Sequence, residues 1–357
     1  MKVGINIRPL LTGHKLRGIG YYTESLLKAL EKDDDINIIR FSNLKDLKDV
    51  DLIHYPWFDF YFHSLPIKKK KPTVVTVHDV IPLIFKDKYP AGIKGNLNFI
   101  LQKLALKRTD GIITDSNASK SDICKSLNIN EDKISVIPLA VDEDFKILGG
   151  TKLLLYKKKY NLPDDFLLYV GDVNWTKNVP FLIEGFHRII QRFEFREIKL
   201  VLVGSAFLKK VDNIDHPELT SLKKVNKLIK DLNLENKIIR VGDIDKDQLV
   251  AFYNLATVYV QPSLYEGFGM PLLEALACGT PVISSNRSSL PEVGGEAGVY
   301  FNPENLDQFT KIVMEILQNK SLQNKLSKLA IKQAGKFSWE KVAEQTKSIY
   351  SKVIKNA

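Results

Sequence analysis

Short apolar runs alternate with amphipathic stretches along the 357-residue chain, and this rhythm restarts once near the middle. The runs are rich in Val, Ile and Leu and lack strict apolar–polar alternation, as is typical of parallel strands buried on both faces. The pattern predicts an α/β fold built twice. We predict strands at 3–7, 36–41, 52–55, 74–77, 112–114, 135–137, 167–170, 199–203, 238–241, 258–260, 282–284 and 299–301, with helices near 20–31, 95–108 and 117–127 in the first half.

The length of the chain exceeds that at which a single core keeps growing, so two domains are expected. The rhythm breaks near 142–159, where acidic residues, Gly149-Gly150 and a lysine-rich stretch intervene. We therefore predict domains at 1–145 and 160–335. The last segment, 338–357, has the pattern of an amphipathic helix. By itself this pattern leaves two alternatives, packing on the second domain or returning to the first.

The charge is spread along the chain. Residues 1–150 hold 23 basic and 19 acidic residues and the remainder 29 and 23, within a net charge of +10. Nucleic-acid modules concentrate charge on one helix or stripe, so no nucleic-acid partner is expected. Only two cysteines are present, and no apolar run approaches the ~20 residues that cross a bilayer. We expect a cytoplasmic protein, with a peripheral position at the inner face of the membrane as a further hypothesis.

The segment Glu266-Gly-Phe-Gly-Met-Pro-Leu-Leu-Glu274 follows the predicted strand 258–260. Pro271 suits the first position of a helix, which would run over 272–278 and end at Gly279 in a left-handed conformation. Backbone amides at 267–272 would then point at an anion such as a diphosphate, assisted by the helix dipole. Glu274 could bind a ribose diol and Glu266 sugar hydroxyls. The structural interpretation, one glutamate at a helix start and another in solvent, is less favoured.

The surroundings of this segment resemble the family 4 retaining glycosyltransferases of the two-domain GT-B type. Pro262-Ser-Leu-Tyr-Glu-Gly-Phe-Gly-Met-Pro-Leu-Leu-Glu-Ala-Leu-Ala-Cys-Gly-Thr-Pro-Val282 is similar to that family's E-x7-E signature and its flanks. Further similar pieces follow in order along nearly the whole chain. They are Arg17-Gly-Ile-Gly-Tyr-Tyr22, Val77-His-Asp-Val-Ile-Pro-Leu83, Thr114-Asp-Ser-Asn-Ala-Ser119, Val136-Ile-Pro138, Val170-Gly-Asp-Val-Asn-Trp-Thr-Lys-Asn178, Ser285-Asn-Arg-Ser-Ser-Leu-Pro-Glu-Val293 and Phe337-Ser-Trp339.

The resemblance implies two Rossmann-like domains with a deep interdomain cleft, an N-terminal acceptor domain joined by the final helix, and a C-terminal nucleotide-sugar donor domain. It implies catalytic roles for His78 beside the donor sugar, Lys177 at the diphosphate and Glu266. The expected donor-binding residues are Gly18, Gly20, Lys177, Gly242, Glu266, Gly267, Phe268, Gly269, Met270, Pro271, Leu272 and Glu274.

The sequence departs from the family at the second phosphate-binding cation. Many relatives have an arginine beside the lysine or after the preceding glycine, where this chain has Thr176 and Asp172. Arg17 or Arg8 is a candidate substitute. Gly18-Ile-Gly20 lacks the third glycine of a dinucleotide fingerprint, so alone it is a weak signal.

We expect no metal and no cofactor. Asp243-Ile-Asp245 resembles a metal-binding D-x-D motif, but Asp245 is placed to cap the helix that begins at Lys246. The histidines show no pair at ligand spacing. Cys278 is expected to be a small buried residue.

The aromatic-rich run at 55–62 and the lysines at 68–71 have two interpretations. The favoured one is that the aromatic rings pack a long loop beside a solvated turn. The other is a surface for a lipid-linked acceptor or an anionic membrane, which the segment 93–108 would extend.

The sequence thus predicts transfer of a hexose from a nucleotide diphosphate sugar to a glycan or lipid-linked acceptor, with retained configuration. Mannose from GDP-mannose is the first choice, because 77–83 looks most like mannosyltransferase relatives. A transferase using UDP-glucose or UDP-GlcNAc and a nucleotide-sugar epimerase on the same scaffold are the alternatives. A non-catalytic nucleic-acid-binding protein is a weaker one.

Overall fold

The fold is seen in a computed structural model of the full chain, which describes residues 1–16, 18–47, 49–209, 211 and 219–357. Each of the twelve predicted strands is present. They are β1 Lys2–Asn6, β2 Asn37–Phe41, β3 Leu52–Tyr55, β4 Thr73–Thr76, β5 Gly111–Thr114, β6 Ile134–Val136, β7 Phe166–Val170, β8 Lys199–Val203, β9 Ile238–Val241, β10 Val258–Gln261, β11 Val282–Ser285 and β12 Gly298–Phe301.

The three helices predicted in the first half lie within a few residues of their expected positions. The described helices connect the strands. They are α1 Gly18–Leu30, α2 Ile81–Ile84, α3 Gly92–Lys107, α4 Asn117–Leu127, α5 Thr151–Lys159, α6 Val179–Ile190, α7 Thr220–Asp231, α8 Lys246–Leu255, α9 Met270–Ala277, α10 Leu290–Gly294, α11 Leu306–Gln318, α12 Lys320–Ala334 and α13 Trp339–Lys355.

All strands pair in parallel in two six-stranded sheets, which confirms the predicted α/β class. The first sheet has the order β2-β1-β3-β4-β5-β6 and the second β12-β11-β10-β7-β8-β9. Read from β9 to β12, with β7 counted as the first strand, the second sheet has the strand order 3-2-1-4-5-6 of the doubly wound dinucleotide-binding fold. Central strands are buried on both faces, which explains why their sequences are continuously apolar.

Two compact units result, one formed by Met1–Ala140 with Phe337–Ala357 and the other by Val141–Lys336. The stretch 141–159, where the sequence rhythm breaks, therefore belongs to the second unit. The C-terminal helix α13 lies in the first unit. Its Trp339 ring contacts Tyr21 and Tyr22 in α1, and the hydroxyl of Tyr350 lies 2.6 Å from Nδ1 of the buried His54 in β3.

The aromatic run at 55–62 mostly packs inward. Tyr55, Phe58 and Phe60 are buried in the core of the first unit, and Phe62 is exposed. The Phe60 ring lies 6.4 Å from that of Phe99 on α3. The run thus forms the packed loop that was the favoured interpretation. No described helix is both long and apolar enough to cross a membrane.

Candidate functional site

The strand order of the second sheet reverses between β7 and β10, which are neighbours. In such sheets, ligands bind in the crevice beyond the carboxyl ends of the strands at the point of reversal. Lys177 lies in the segment after β7 and Glu266 in the segment after β10. The strand order therefore brings together two predicted site residues that are 89 positions apart in the chain.

Lys177 and Glu266 form a largely buried ion pair. Lys177 Nζ donates to both carboxylate oxygens of Glu266, at 2.8 and 2.9 Å, and the two side chains are 19% and 9% exposed. The carboxylate oxygen Oε1 also accepts from Gln261 Nε2 at 2.8 Å and from Ser263 Oγ at 2.7 Å. Hydrogen bonds of this kind compensate for removing the carboxylate from water. The sequence predicted both residues for the site but not their direct pairing.

The loop that carries Glu266 is held by its neighbours. The Leu264 amide donates to the Thr176 carbonyl at 2.7 Å, which ties the two loops together. The hydroxyls of Ser288 and Ser289 donate to the Glu266 carbonyl at 2.5 and 2.9 Å. These serines were part of the resemblance but were not predicted as site residues. The signal that could have found them is a hydroxyl pair after β11, the strand beside β10.

Helix α9 begins beside this ion pair, with Gly269 as its N-terminal cap at φ 107°. Met270 and Pro271 are its first two residues, so Pro271 stands one position later than predicted. The predicted set of anion-binding amides is also too large. Pro271 has no N–H, and the amide of Leu272 donates to the Gly269 carbonyl at 3.0 Å. Within the described ranges, the amides of Gly269 and Met270 donate no hydrogen bond.

Glu274 lies one turn inside α9 and is partly buried. Burial raises the pKa of its carboxyl to about 7, and a 2.7 Å hydrogen bond from the Tyr253 hydroxyl to Oε2 opposes part of that increase. The carboxylate therefore changes its charge close to neutral pH, unlike a solvent-exposed glutamate. The helix ends as predicted, with Gly279 at φ 71°. Cys278 is buried, as predicted.

His78 occupies the first unit, just after β4, and pairs with Asp115, which follows the neighbouring β5. Nδ1 of His78 lies 2.8 Å from Asp115 Oδ2, and the Asp115 side chain is 3% exposed. Nε2 is buried and makes no hydrogen bond to any described residue. Burial lowers the pKa of His78, but the charge and hydrogen bond of Asp115 outweigh it, so the pKa lies above its ordinary value.

Asp115 was not predicted as a site residue. The sequence signal for Asp115 was an acidic residue directly after a predicted strand, at the edge of the sheet where His78 also lies. Because carboxyl ends of adjacent parallel strands meet at one edge, this placement was open to prediction. Asp115 accepts from Nδ1–H, and because it raises the pKa of His78, it favours the charged ring, in which Nε2 also carries a proton that it can donate.

Five further residues were named as candidates for the donor site. Gly18 and Gly20 open α1, where Gly18 is exposed and has open space around it. Arg17 lies outside the described residues, and Arg8 is exposed at the start of a short 3-10 turn. Gly242 follows β9, at the edge of the second sheet, and packs against Leu208.

The D-x-D residues are exposed in the loop before α8. Asp245 is the N-terminal cap residue of α8, as predicted, but its side chain makes no capping hydrogen bond, contrary to the capping role assigned to it. The described part of the chain contains no cluster of three or more His, Cys, Asp or Glu side chains suited to a metal.

The protein has two parallel, doubly wound sheets, and the reversal point of the second carries a cation, a carboxylate and a helix N-terminus. These features define an α/β protein of the GT-B class. Residues 17–145 match the model of Glycosyltransferase Family 4. Residues 155–333 match that of the Glycosyl transferases group 1. The chain belongs to this glycosyltransferase family.

Relatives of known name include the serotype-specific mannosyltransferase WbdA of Escherichia coli, which is 30% identical over 84% of this chain and 36% of its own length. The chain thus spans about a third of WbdA. The O-antigen chain mannosyltransferase B of Escherichia coli is 29% identical over 86% of this chain and 75% of its own length. Among solved structures, sucrose-phosphate synthase from Thermosynechococcus elongatus shares the fold, with a TM-score of 0.77 at 18% identity over the whole of both chains.

Proposed function

We propose that the chain is a retaining glycosyltransferase that moves a hexose from a nucleotide diphosphate sugar to a hydroxyl of a glycan or lipid-linked acceptor. The observation that carries the proposal is the Lys177–Glu266 pair at the reversal point of the second sheet, beside the unpaired amides of α9. A cation and free backbone amides bind phosphate, and a carboxylate accepts hydrogen bonds from sugar hydroxyls.

The diphosphate is assigned to Lys177 and the amides of Gly269 and Met270. As the bond from sugar to phosphate breaks, negative charge grows on the leaving phosphate, and preorganised donors stabilise that charge. The dipole of α9 acts in the same direction. A diphosphate competes with Glu266 for the Lys177 ammonium, and this competition frees carboxylate lone pairs for sugar hydroxyls. With positive charge supplied by these groups, we propose that transfer requires no metal.

Glu274 is assigned to the ribose. A carboxylate accepts hydrogen bonds from both hydroxyls of a diol, whereas a protonated carboxyl accepts them less well. The raised pKa therefore couples donor binding to pH near neutrality.

His78 is assigned to the donor sugar, through its unpartnered Nε2. We do not assign it as a general base. In the retaining route that we propose, the acceptor attacks from the same face as the leaving phosphate. The bond from sugar to phosphate oxygen breaks, the bond to the acceptor oxygen forms, and the departing phosphate takes the acceptor proton.

Mannose from GDP-mannose is the proposed donor, supported by the names of the relatives. UDP-linked glucose and GlcNAc are the competing donors. We also propose that the protein acts in the cytoplasm, in the synthesis of a cell-surface polysaccharide or glycoconjugate. Its two cysteines are both free, as is usual in a reducing compartment.

A thermal-shift panel of nucleotide sugars tests the proposal. A ligand at about 100 times its Kd stabilises the native state by about 2.7 kcal/mol, which corresponds to an increase of roughly 5–10 °C in Tm for a unit of this size. GDP-mannose should produce that increase, and Glu274→Ala should reduce it. The absence of a shift with any nucleotide sugar would refute the site, and a product of inverted configuration by NMR would refute the retaining mechanism.

A further inference from the structure

The outward face of α3 is apolar. Five large aliphatic side chains on it are solvent-exposed: Ile93 by 86%, Leu97 by 60%, Ile100 by 57%, Leu101 by 44% and Leu104 by 47%. At 3.6 residues per turn these positions fall within an arc of about 100° and extend over roughly 16 Å of the helix. They form one continuous stripe, which we call the α3 stripe.

The opposite face of α3 already packs on the first unit. Gly95, Gln102, Ala105 and Leu106 are buried there, and the Gln102 side-chain oxygen accepts the Leu65 amide at 2.9 Å. A surface helix normally has one apolar face turned to the core and one polar face turned to water. The α3 stripe has no such structural use, and contiguous exposed apolar surface of this kind marks an interaction site.

Basic residues border the stripe. On the helical wheel Lys94 lies on one side, Lys103 and Lys107 lie on the other, and Arg108 follows at the C-terminal end. Between 84 and 109 the sequence has six basic residues and one acidic residue. Half of the chain's net charge of +10 is thus found in these 26 residues.

The lysine turn at 68–71 adds to this concentration. Lys69 Nζ donates to the Ala105 carbonyl at 2.9 Å, which fixes the turn beside the C-terminal end of α3. Lys68, Lys70 and Lys71 are exposed there.

We propose that the α3 stripe docks on an anionic lipid surface, with its aliphatic side chains at the boundary between headgroups and acyl chains and its lysines at the lipid phosphates. A helix lying flat in this boundary needs an apolar face flanked by cations. A second copy of the chain suits the surface less well, because a symmetric contact places the same cations opposite each other. This docking goes beyond glycosyl transfer and does not depend on the identity of the donor.

Vesicle flotation of the full chain tests the proposal, with phosphatidylcholine vesicles containing about one-third phosphatidylglycerol and with phosphatidylcholine alone. The wild type should float with the anionic vesicles, and binding should weaken as salt increases. The double substitution Ile93→Glu and Leu97→Glu should reduce partitioning at least 100-fold, because two large apolar side chains are lost from the bilayer boundary. Its matched control is Phe193→Glu, which changes a residue that is 78% exposed in the other unit.

The electrostatic part is tested with Lys94→Gln and Lys107→Gln together. Each lysine near an anionic surface contributes roughly fivefold, so partitioning should fall about 25-fold. Lys325→Gln with Lys328→Gln, two exposed positions on α12, is the control and should leave binding unchanged.

Absence of wild-type binding to anionic vesicles overturns the proposal, as does equal binding by the Ile93→Glu/Leu97→Glu variant. Concentration-dependent dimerisation that the same variant abolishes, without vesicle binding, assigns the stripe to a second copy and also overturns it. The Tm and the nucleotide-sugar shift of every variant are measured in parallel. Failure of the proposed donor site appears in those shifts and leaves the flotation result interpretable.

Discussion

Replacing Lys177 with methionine removes the cation from a carboxylate that is 9% exposed. Methionine keeps much of the length of the lysine side chain but has no charge and no N–H. Glu266 then retains the hydrogen bonds from Gln261 and Ser263, both to Oε1. Among the described residues, Oε2 accepts a hydrogen bond from Lys177 alone, so the substitution leaves that oxygen buried without a partner.

Breaking a buried ion pair from one side costs about 3–5 kcal/mol of unfolding free energy. We expect about 3 kcal/mol, the lower end, because Lys177 is 19% exposed and two hydrogen bonds to Glu266 remain. For a unit that spans Val141–Lys336, this corresponds to a decrease of roughly 6–12 °C in Tm.

A double-mutant cycle separates the stability of the pair from its role in binding. Lys177→Met combined with Glu266→Gln removes both charges, and Gln261 and Ser263 can still satisfy the neutral amide. We expect the double variant to recover at least 2 kcal/mol relative to the sum of the single variants, measured by urea unfolding. Donor binding, measured by thermal shift, should stay weak in all three variants, since each lacks the phosphate-binding cation or the sugar-binding carboxylate.

Two results would refute this reasoning. A loss below about 1 kcal/mol in Lys177→Met would mean that the pair is solvated in the manner of a surface salt bridge. Donor affinity at the wild-type level in the double variant would mean that the pair is structural and that the diphosphate binds elsewhere.

Three further predictions concern other parts of the site. Because burial raises the pKa of Glu274 to about 7, donor affinity by calorimetry should increase about tenfold between about pH 6 and pH 8, and Glu274→Gln should abolish this dependence. Asp115→Asn removes the charge beside His78, so kcat should fall about 10–100-fold with little change in donor KM, and the His78 limb of the pH–rate profile should move to lower pH. Gly269→Ala places a side chain at φ 107° with its Cβ 2.8 Å from Leu290 Cδ2, so unfolding free energy should fall by about 1–2 kcal/mol and donor affinity should fall with it.

Each of these has a contrary outcome. Because the pKa of Glu274 is raised in the native state, this carboxyl favours the native state at low pH, where the native and the unfolded chain both bind the proton. This contribution to stability disappears as the pH rises through about 7. A Glu274→Gln variant with unchanged pH–stability and pH–affinity curves would contradict the assignment. For Asp115→Asn, a change in Tm with an unchanged pH profile would indicate a structural role alone. Gly298→Ala is the control for Gly269→Ala, because its Cβ would crowd Tyr300 at 2.5 Å at a position without a positive φ and outside α9.

The sequence alone predicted the elements of the site but not its pairings. Hydrophobic periodicity is a local property, so it was sufficient to predict all twelve strands. Pro271 and Gly279, which are equally local signals, predicted the helix that carries Glu274. The Lys177–Glu266 contact joins residues 89 positions apart and exists because β7 and β10 are neighbours in the sheet. The His78–Asp115 contact depends in the same way on β4 beside β5. Strand order is a tertiary property that no single segment encodes.

Helices α13 and α3 show the same division between what the sequence predicts and what the tertiary structure decides. The sequence of α13 predicted an apolar face and left open the unit on which that face packs. The tertiary structure decided it, because Trp339 contacts α1 and Tyr350 meets His54 in the first sheet. In α3, apolar residues occur all round the helix, and the sequence cannot say which of them remain in water. The first unit covers the side with Gly95 and Gln102, and the aliphatic stripe is left exposed, because the core can bury only one face of a helix at its surface.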